Sequence, residues 1–465
     1  MRKSTKKGNQ QNSGVTKGKR SRKAPPLLPV LEPGAAGIDV GATEMWVAVG
    51  PDRDAQAVRK FETFTRDLLA LIEWLQQCGV TTVAMESTGV YWIPLFQLLE
   101  QHGFEVCLTN ARHVKNVPGR KSDVRDCQWL QHLHSVGLLH ASFRPADQVC
   151  ALRALLRHRN SLVQMSSAHI QHMQKAMDQM NLQLQHVISD ITGETGLAII
   201  RAILTGERDP AVLAQHRDPR IKASRETIIK SLEGDYRPEL VFVLRQSLSF
   251  CECYWDQIRQ CEEAVRTLLH EFDSSIDIEQ NPLPPPARRS HETHCELAAD
   301  TRLHLYRIYG TDLTAVPGFQ TQTVRTIFSE IGCDLSRFRT AGHFVSWLAL
   351  CPGNDKSGGR VLRTRTRKVK SRLATALRLA AQSLERNHTF LGGFLRRMKA
   401  RLGAQEAITA TAAKLARIVY HLITTREAYD ESVFAQHQHR HHLAREKRLR
   451  AQAKGMGFEL VPIPA

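Results

Sequence analysis

Four acids and one serine are the residues of this chain from which phosphoryl chemistry can be built. Asp39 closes the first apolar run, in Gly37-Ile-Asp-Val-Gly41, and Glu86 holds the equivalent place in Ala84-Met-Glu-Ser-Thr-Gly89. An acid at the end of a hydrophobic strand projects from a rigid backbone beside a turn, where a site can be held with precision. Asp123 and Asp126, three apart in Lys121-Ser-Asp-Val-Arg-Asp126, fall on one face of a helix whose expected N-cap is Ser122. Hard oxygen ligands on neighbouring elements suit Mg2+, with Mn2+ as its substitute. Two such ions about 3.5–4 Å apart serve phosphodiester cleavage, one activating the attacking oxygen and one stabilising the leaving oxygen. Taken singly, each acid also reads as a turn residue or a helix cap; the signal is the repeated order of apolar strand followed by acid.

Ser357 lies in Cys351-Pro-Gly-Asn-Asp-Lys-Ser-Gly-Gly-Arg360, a segment too rich in Gly and Pro to be core. This predicts a flexible, approachable loop. Lys356, Arg360, Arg363, Arg365, Arg367, Lys368, Lys370 and Arg372 surround it in sequence. A serine that attacks phosphorus must lose its proton while charge builds on the phosphorane; nearby cations neutralise the second and favour the first. A turn serine in a DNA-contacting loop is the alternative. Upstream, Leu313-Thr-Ala-Val-Pro-Gly-Phe-Gln320, followed by a helix through Ile331, is similar to a helix-hairpin-helix turn. In such turns backbone N–H groups near Gly318 can hold a DNA phosphate. Gln320 stands where a second glycine is usual, so a plain helix connection stays open.

The elements that position these residues follow from periodicity. Gly37–Val40 and Met45–Val49 form a hairpin, Thr81–Glu86 and Phe104–Thr109 are strand-like, and Leu68–Gln77, Trp92–His102 and Ser122–Ser135 have helical spacing. Strands alternating with helices predict an α/β domain. From Val149 the period becomes seven, through Leu156, Val163, Ile170, Met177 and Leu184, with Leu152, Met173 and Met180 beside it. Leu244, Cys251, Ile258, Val265 and Phe272 repeat the pattern, with Leu248, Trp255 and Leu269. These read as coiled-coil helices, paired as an antiparallel hairpin or with another protomer, Arg159 and Ser166 setting register. Ordinary core stripes of a helical bundle are the alternative. Shorter helices and turns fill Gly193–Gly234, Asn281–Pro286 is a break, and helical spacing resumes from Thr301 to Glu427. The expected organisation is a basic arm and linker (1–33), an α/β domain (34–146), a helical coiled-coil region (147–280), a linker (281–300), a mostly α domain (301–429) and a basic tail that frays (430–465).

With 465 residues, 42% of them hydrophobic, the chain can bury several cores and is not a disordered polymer. Lys and Arg number 64 against 46 Asp and Glu, a net charge of +18 that calls for a polyanionic partner, nucleic acid first. No apolar run of about 18 residues is present, so no membrane is expected. Ten cysteines occur without a Cys-x-x-Cys pair. A reducing cytoplasm and no structural zinc follow. His437, His439, His441 and His442 beside Arg440 read as a solvated segment.

The three acid motifs, in this order, resemble the Asp-Glu-Asp-Asp signature of the transposases of the insertion sequence 110 family, including its 1111 subgroup. The likeness runs through Asp190-Ile-Thr-Gly-Glu-Thr-Gly196 into the last domain. It implies a ribonuclease H-like, RuvC-like N-terminal domain, Asp39, Glu86, Asp123 and Asp126 as magnesium ligands, and a transposase domain whose nucleophilic serine corresponds to Ser357. The usual Gly-Asn step beyond that loop is here Thr366-Arg-Lys-Val-Lys370, a departure that bears on strand contact. The resemblance further implies a recombinase of double-stranded DNA that excises and integrates its element. A non-coding guide RNA and a homotetramer, with acids of one subunit meeting the serine of another, belong to the same implication. Two rivals stand beside it: a junction nuclease that hydrolyses DNA with the four acids alone, and a non-catalytic nucleic-acid scaffold.

Overall fold

The computed structural model describes residues 29–87, 89–110, 123–286 and 298–459. The expected basic arm up to residue 28, the Ser122 cap and most of the 281–300 linker lie outside these. Two compact units make up the chain, Met1–Phe143 and Arg144–Ala465.

In the first unit, β1 (Ala35–Val40), β2 (Glu44–Ala48) and β3 (Val58–Glu62) pair antiparallel. Then β4 (Thr82–Glu86) and β5 (Glu105–Thr109) add in parallel, giving the order β3-β2-β1-β4-β5. Helices α1 (Thr65–Gln77) and α2 (Trp92–Gln101) make the crossovers that parallel strands require. Side chains alternate along each strand. Ala36, Ile38, Val40, Val83 and Met85 accordingly share one core with Leu68, Leu71 and Leu75 of α1 and with Leu95 and Leu99 of α2.

The opposite face of β1 and β4 carries Ala35, Gly37 and Asp39 beside Thr82, Ala84 and Glu86. Helix α3 (Asp123–Ser135) lies on it, for which β1 makes room by having no side chain at Gly37. A Cβ there would fall 2.2 Å from Gln131 N and 2.4 Å from the Cys127 carbonyl oxygen. Further along, Gln131 Nε2 donates to the Ala35 carbonyl at 3.3 Å. The buried His134 ring lies 2.8 Å from Thr82 Oγ1, which itself donates to the Glu105 carbonyl. The Thr82 hydroxyl thus bridges the His134 ring and the Glu105 carbonyl. Burial holds the His134 pKa below its ordinary value, which keeps the ring neutral. We expect Gly37→Ala to push α3 off the sheet at a cost of about 2–3 kcal/mol or more, because the obstructing atoms are helix backbone. Urea unfolding of the full chain measures it; an unchanged midpoint would contradict the packing.

The edge strand β3 is absent from the sequence reading because Val58-Arg-Lys-Phe-Glu62 offers little apolar alternation and no residue of it is fully buried. No described helix is long and apolar enough to cross a membrane.

The second unit is helical. Two long helices, α4 (Asp147–Gln179) and α7 (Pro238–Glu271), run antiparallel: Cys251 Sγ meets the Ser166 carbonyl and Glu262 meets Arg159. Both series therefore pair within one chain. The seven-residue pattern holds at Leu152, Leu156, Met173 and Met177, whereas Val163 faces solvent and Leu162 takes its place in the seam. A straight helix of 3.6 residues per turn drifts against a seven-residue repeat, and that drift accounts for the exchange. Between them, α5 (Glu194–Thr205) and α6 (Arg225–Ser231) close a core around Met173, Met177, Ile199, Ile203, Ile228 and Leu248.

At the other end of the pair stand α8 (Ala298–Tyr309), α9 (Thr321–Ile331) and α10 (Ala341–Trp347). A two-stranded sheet, β6 (Asp355–Ser357) and β7 (Arg360–Arg363), precedes α11 (Arg372–Ser383), α12 (Phe390–Leu402) and α13 (Ala404–Thr425). The small buried residues Ala407, Ala412 and Ala416 let neighbouring helices pack closely on α13, with Leu415 and Val419 filling between them. The 430–465 segment is not frayed throughout: α14 spans Ala435–Gly455, a run of Ala, Gln, Arg, Lys, Leu and His with no Pro or interior Gly to stop it. The side chains of the four tail histidines lie outside the described residues.

Candidate nuclease and transposase sites

Asp39 and Glu86 occupy neighbouring strands. The register pairs Ile38 with Met85, so each acid lies one residue past that pair, on the face covered by α3. Both are half-buried, and neither is without interactions. On α3, Asp123, Cys127, Leu130 and His134 recur at i, i+4, i+7 and i+11, the stripe that meets the sheet. Since Gln131 and His134 lie against the starts of β1 and β4, the N-terminal turn of α3 points to the strand ends where Asp39 and Glu86 stand. Asp126 is half-buried beside Cys127; of Asp123 only the backbone is described.

Cys127 reports on the local field. Burial pushes its thiol up to about 12, and the negative charges of Asp39 and, to a lesser degree, Asp126 add to the rise. One sulfur therefore feels an acid of β1 and an acid of α3 together. Cys127 Sγ donates to the Val124 carbonyl at 3.1 Å and remains a neutral thiol at physiological pH. Nothing in the sequence reading singled it out, although its place immediately after Asp126 on the buried stripe was available as a signal.

Among the described residues, which do not include the Asp123 side chain, no three His, Cys, Asp or Glu side chains gather closely enough to hold a metal ion. The donor chemistry nonetheless fits a hard divalent cation. Carboxylates stand at two adjacent strand ends and on the helix above them, and the neighbouring thiol is protonated and so not a competing soft ligand.

In the second unit Ser357 is exposed at the end of β6, directly across from Arg360 of β7. The expected flexible loop is instead a hairpin. Gly358 and Gly359 both have positive φ, 53° and 77°, as the two central residues of a tight turn whose twist suits antiparallel strands. Pairing continues below through the Pro352–Thr366 bridge and the Gly353 N–H donated to the Arg365 carbonyl at 3.0 Å. Arg360, Arg365, Arg367, Lys368 and Lys370 are exposed along and beyond this hairpin, while the Lys356 and Arg363 side chains lie outside the described residues. Arg367 is partly engaged, donating to the Ser346 carbonyl.

Gly318 also has positive φ, 91°, and a Cβ there would lie 2.7 Å from the Ala380 carbonyl. Close packing on α11 thus accounts for this glycine. Gln320 caps α9 without a side-chain bond to the helix.

The comparisons with known proteins bear on both halves. The family model of the DEDD transposases of IS110, described as Transposase, matches residues 36–182, a span that includes Asp39, Glu86, Asp123 and Asp126. A second, described as Transposase IS116/IS110/IS902 family, matches residues 310–390, with Gly318 and Ser357. No protein of curated function matches. The mixed sheet of the first unit is consistent with a ribonuclease H-like domain of RuvC type, whose relatives typically use divalent metals. With acids at its strand ends matched to one model and a basic hairpin matched to the other, the chain belongs to the IS110 family of transposases, DNA-binding and DNA-processing enzymes.

Proposed function

We propose that this transposase excises and integrates its element by forming a transient phosphoserine link between Ser357 and DNA, assisted by divalent ions at Asp39, Glu86, Asp123 and Asp126. The observation that carries the reading is the exposed Ser357 at the end of a hairpin, in a stretch holding five exposed cations. In the cleavage step the Ser357 oxygen forms a bond to phosphorus as the bond from phosphorus to a sugar oxygen breaks. The serine proton passes to an acceptor, and the departing sugar oxygen takes one up. Arg360 faces the attacking group and Arg365, Lys368 and Lys370 extend the positive field, countering charge on the five-coordinate phosphorus. Because the ester conserves the energy of the broken strand, attack by a sugar hydroxyl on the phosphoserine rejoins DNA and frees the serine without ATP. Mg2+ or Mn2+, when bound, would polarise the attacked phosphate and offset its charge. Gly318 and the start of α9, with Lys356, Arg363 and Arg367, belong to the same DNA-contacting surface.

The domain scheme of the sequence reading, the 1111 subgroup, a non-coding guide RNA, a tetramer built through the long helices and a cytoplasmic, nucleoid-associated location form part of this proposal. The net charge of +18 suits two nucleic-acid partners, and sequencing the RNA that copurifies tests the guide. The serine link is tested by quenching the full-length protein on element-end duplex in denaturant, digesting it and sequencing the DNA-bearing peptide. The expected peptide contains Ser357. Cleaved DNA with no attached peptide would establish hydrolysis instead.

A further inference from the structure

A shallow recess opens where α4, α9 and α11 meet, lined by Arg157, Asn160, Gln322, Arg325, Thr326 and Arg372, with Glu330 its one carboxylate. Its floor is built with unusual care for charge. Glu262, 2% exposed in the seam of the long helices, is held by Arg159 and by Arg325, whose Nη1 lies 3.1 and 2.9 Å from its two oxygens. Arg325 also donates to Gln322. Arg157 pairs with Glu330 at 3.1 Å, while Arg153 caps the end of α9 by donating to the Ser329 and Glu330 carbonyls. Four arginines, Arg157, Arg159, Arg325 and Arg372, thus stand around the two carboxylates Glu262 and Glu330. Arg372 is the telling residue. It is exposed at the first position of α11, capped by Ser371, where the helix dipole favours an acid and disfavours a cation.

We infer that this recess seats a phosphate of the DNA backbone. Arg325, held by Glu262 and bonded to Gln322, forms a preorganised wall with Thr326 on α9, beside Arg157, held by Glu330, and Asn160 on α4. Arg372 closes over the phosphate from the other side. The arginine fork matches phosphate oxygens, and the Asn160 and Gln322 amides supply neutral donors that fix its position. Basic residues run from Arg360 to Arg372 in sequence, so one DNA strand followed along the hairpin is delivered to this wall. The inference rests on DNA as the substrate and not on serine chemistry. It adds a phosphate contact made by side chains to the one proposed at the Gly318 backbone.

Binding of a labelled DNA duplex to the full-length protein, followed by anisotropy in EDTA over a series of salt concentrations, tests it without any strand being cut. Arg372→Gln is expected to weaken binding about 3- to 10-fold and to make the slope of log K on log salt shallower by about 0.9, one phosphate contact. Arg372→Lys should keep the slope, and Asn160→Asp, equal in size but negative, should weaken binding with unchanged thermal unfolding. Arg401→Gln, an exposed cation that does not line the recess, should leave the slope alone. Unchanged binding in Arg372→Gln and Asn160→Asp, an equal slope change in Arg401→Gln, or a loss confined to a single-stranded RNA probe would each overturn the assignment.

Discussion

Ser357→Ala is expected to abolish the protein–DNA adduct and to reduce strand exchange by about 10⁴-fold or more, the scale on which loss of a nucleophile acts. The change removes one exposed oxygen from a hairpin whose turn is set by Gly358 and Gly359, so folding should be untouched. DNA binding should stay within about twofold, because the cations of the hairpin remain and a hydroxyl contributes no counterion release. Such a split, chemistry lost and affinity kept, separates a nucleophile from a DNA-contacting turn residue. Quantitative strand-exchange assays beside anisotropy on the same preparations provide it. If Ser357→Ala still exchanged strands at even a tenth of the parent rate, the covalent mechanism would fail.

Asp39→Asn carries the second large effect, a loss of about 10³-fold in DNA cleavage, since a ligand that also neutralises ion charge becomes a neutral amide. The strand should tolerate the change: Asn is nearly isosteric, and the site is only half-buried. Removing a negative charge that faces α3 should also ease the field at Cys127, whose thiol the Asp39 carboxylate helps to raise. The infrared S–H absorption of the buried Cys127, compared in the folded parent and variant, would therefore shift as the Asp39 charge is removed. That readout is independent of activity. Unchanged cleavage in Asp39→Asn would favour the scaffold reading, and an unchanged Cys127 S–H absorption would place Asp39 farther from α3 than the packing has it.

Much of the first unit was legible because its inner strands are apolar runs, and β1 and β4 carry an acid at or next to their ends. Asp39 and Glu86 were found by that order, and the face they share follows from counting residues by two. What was not legible depended on contacts distant in the chain. Gly37 reads as a strand glycine until α3 is laid across it. Arg159 was visible as a charged residue in an apolar seam, yet its partner Glu262, and Arg325 that shares this acid, come from two other helices. Val58–Glu62 failed as a strand because an edge needs little apolar content. The hairpin at Ser357 was missed for a different reason: its composition suggested mobility, while Gly-Gly between strands of Lys, Ser and Arg is also the sequence of a tight turn. The family resemblance supplied the roles of the acids and the serine, which no local pattern distinguishes from caps and turns.

The most direct test of the metal assignment is anomalous diffraction from crystals of the full-length transposase bound to DNA and soaked in Mn2+. The account predicts manganese peaks contacted by Asp39, Glu86 and the two acids of α3. Peaks only elsewhere, or the two strand-end carboxylates turned apart around empty solvent, would contradict it.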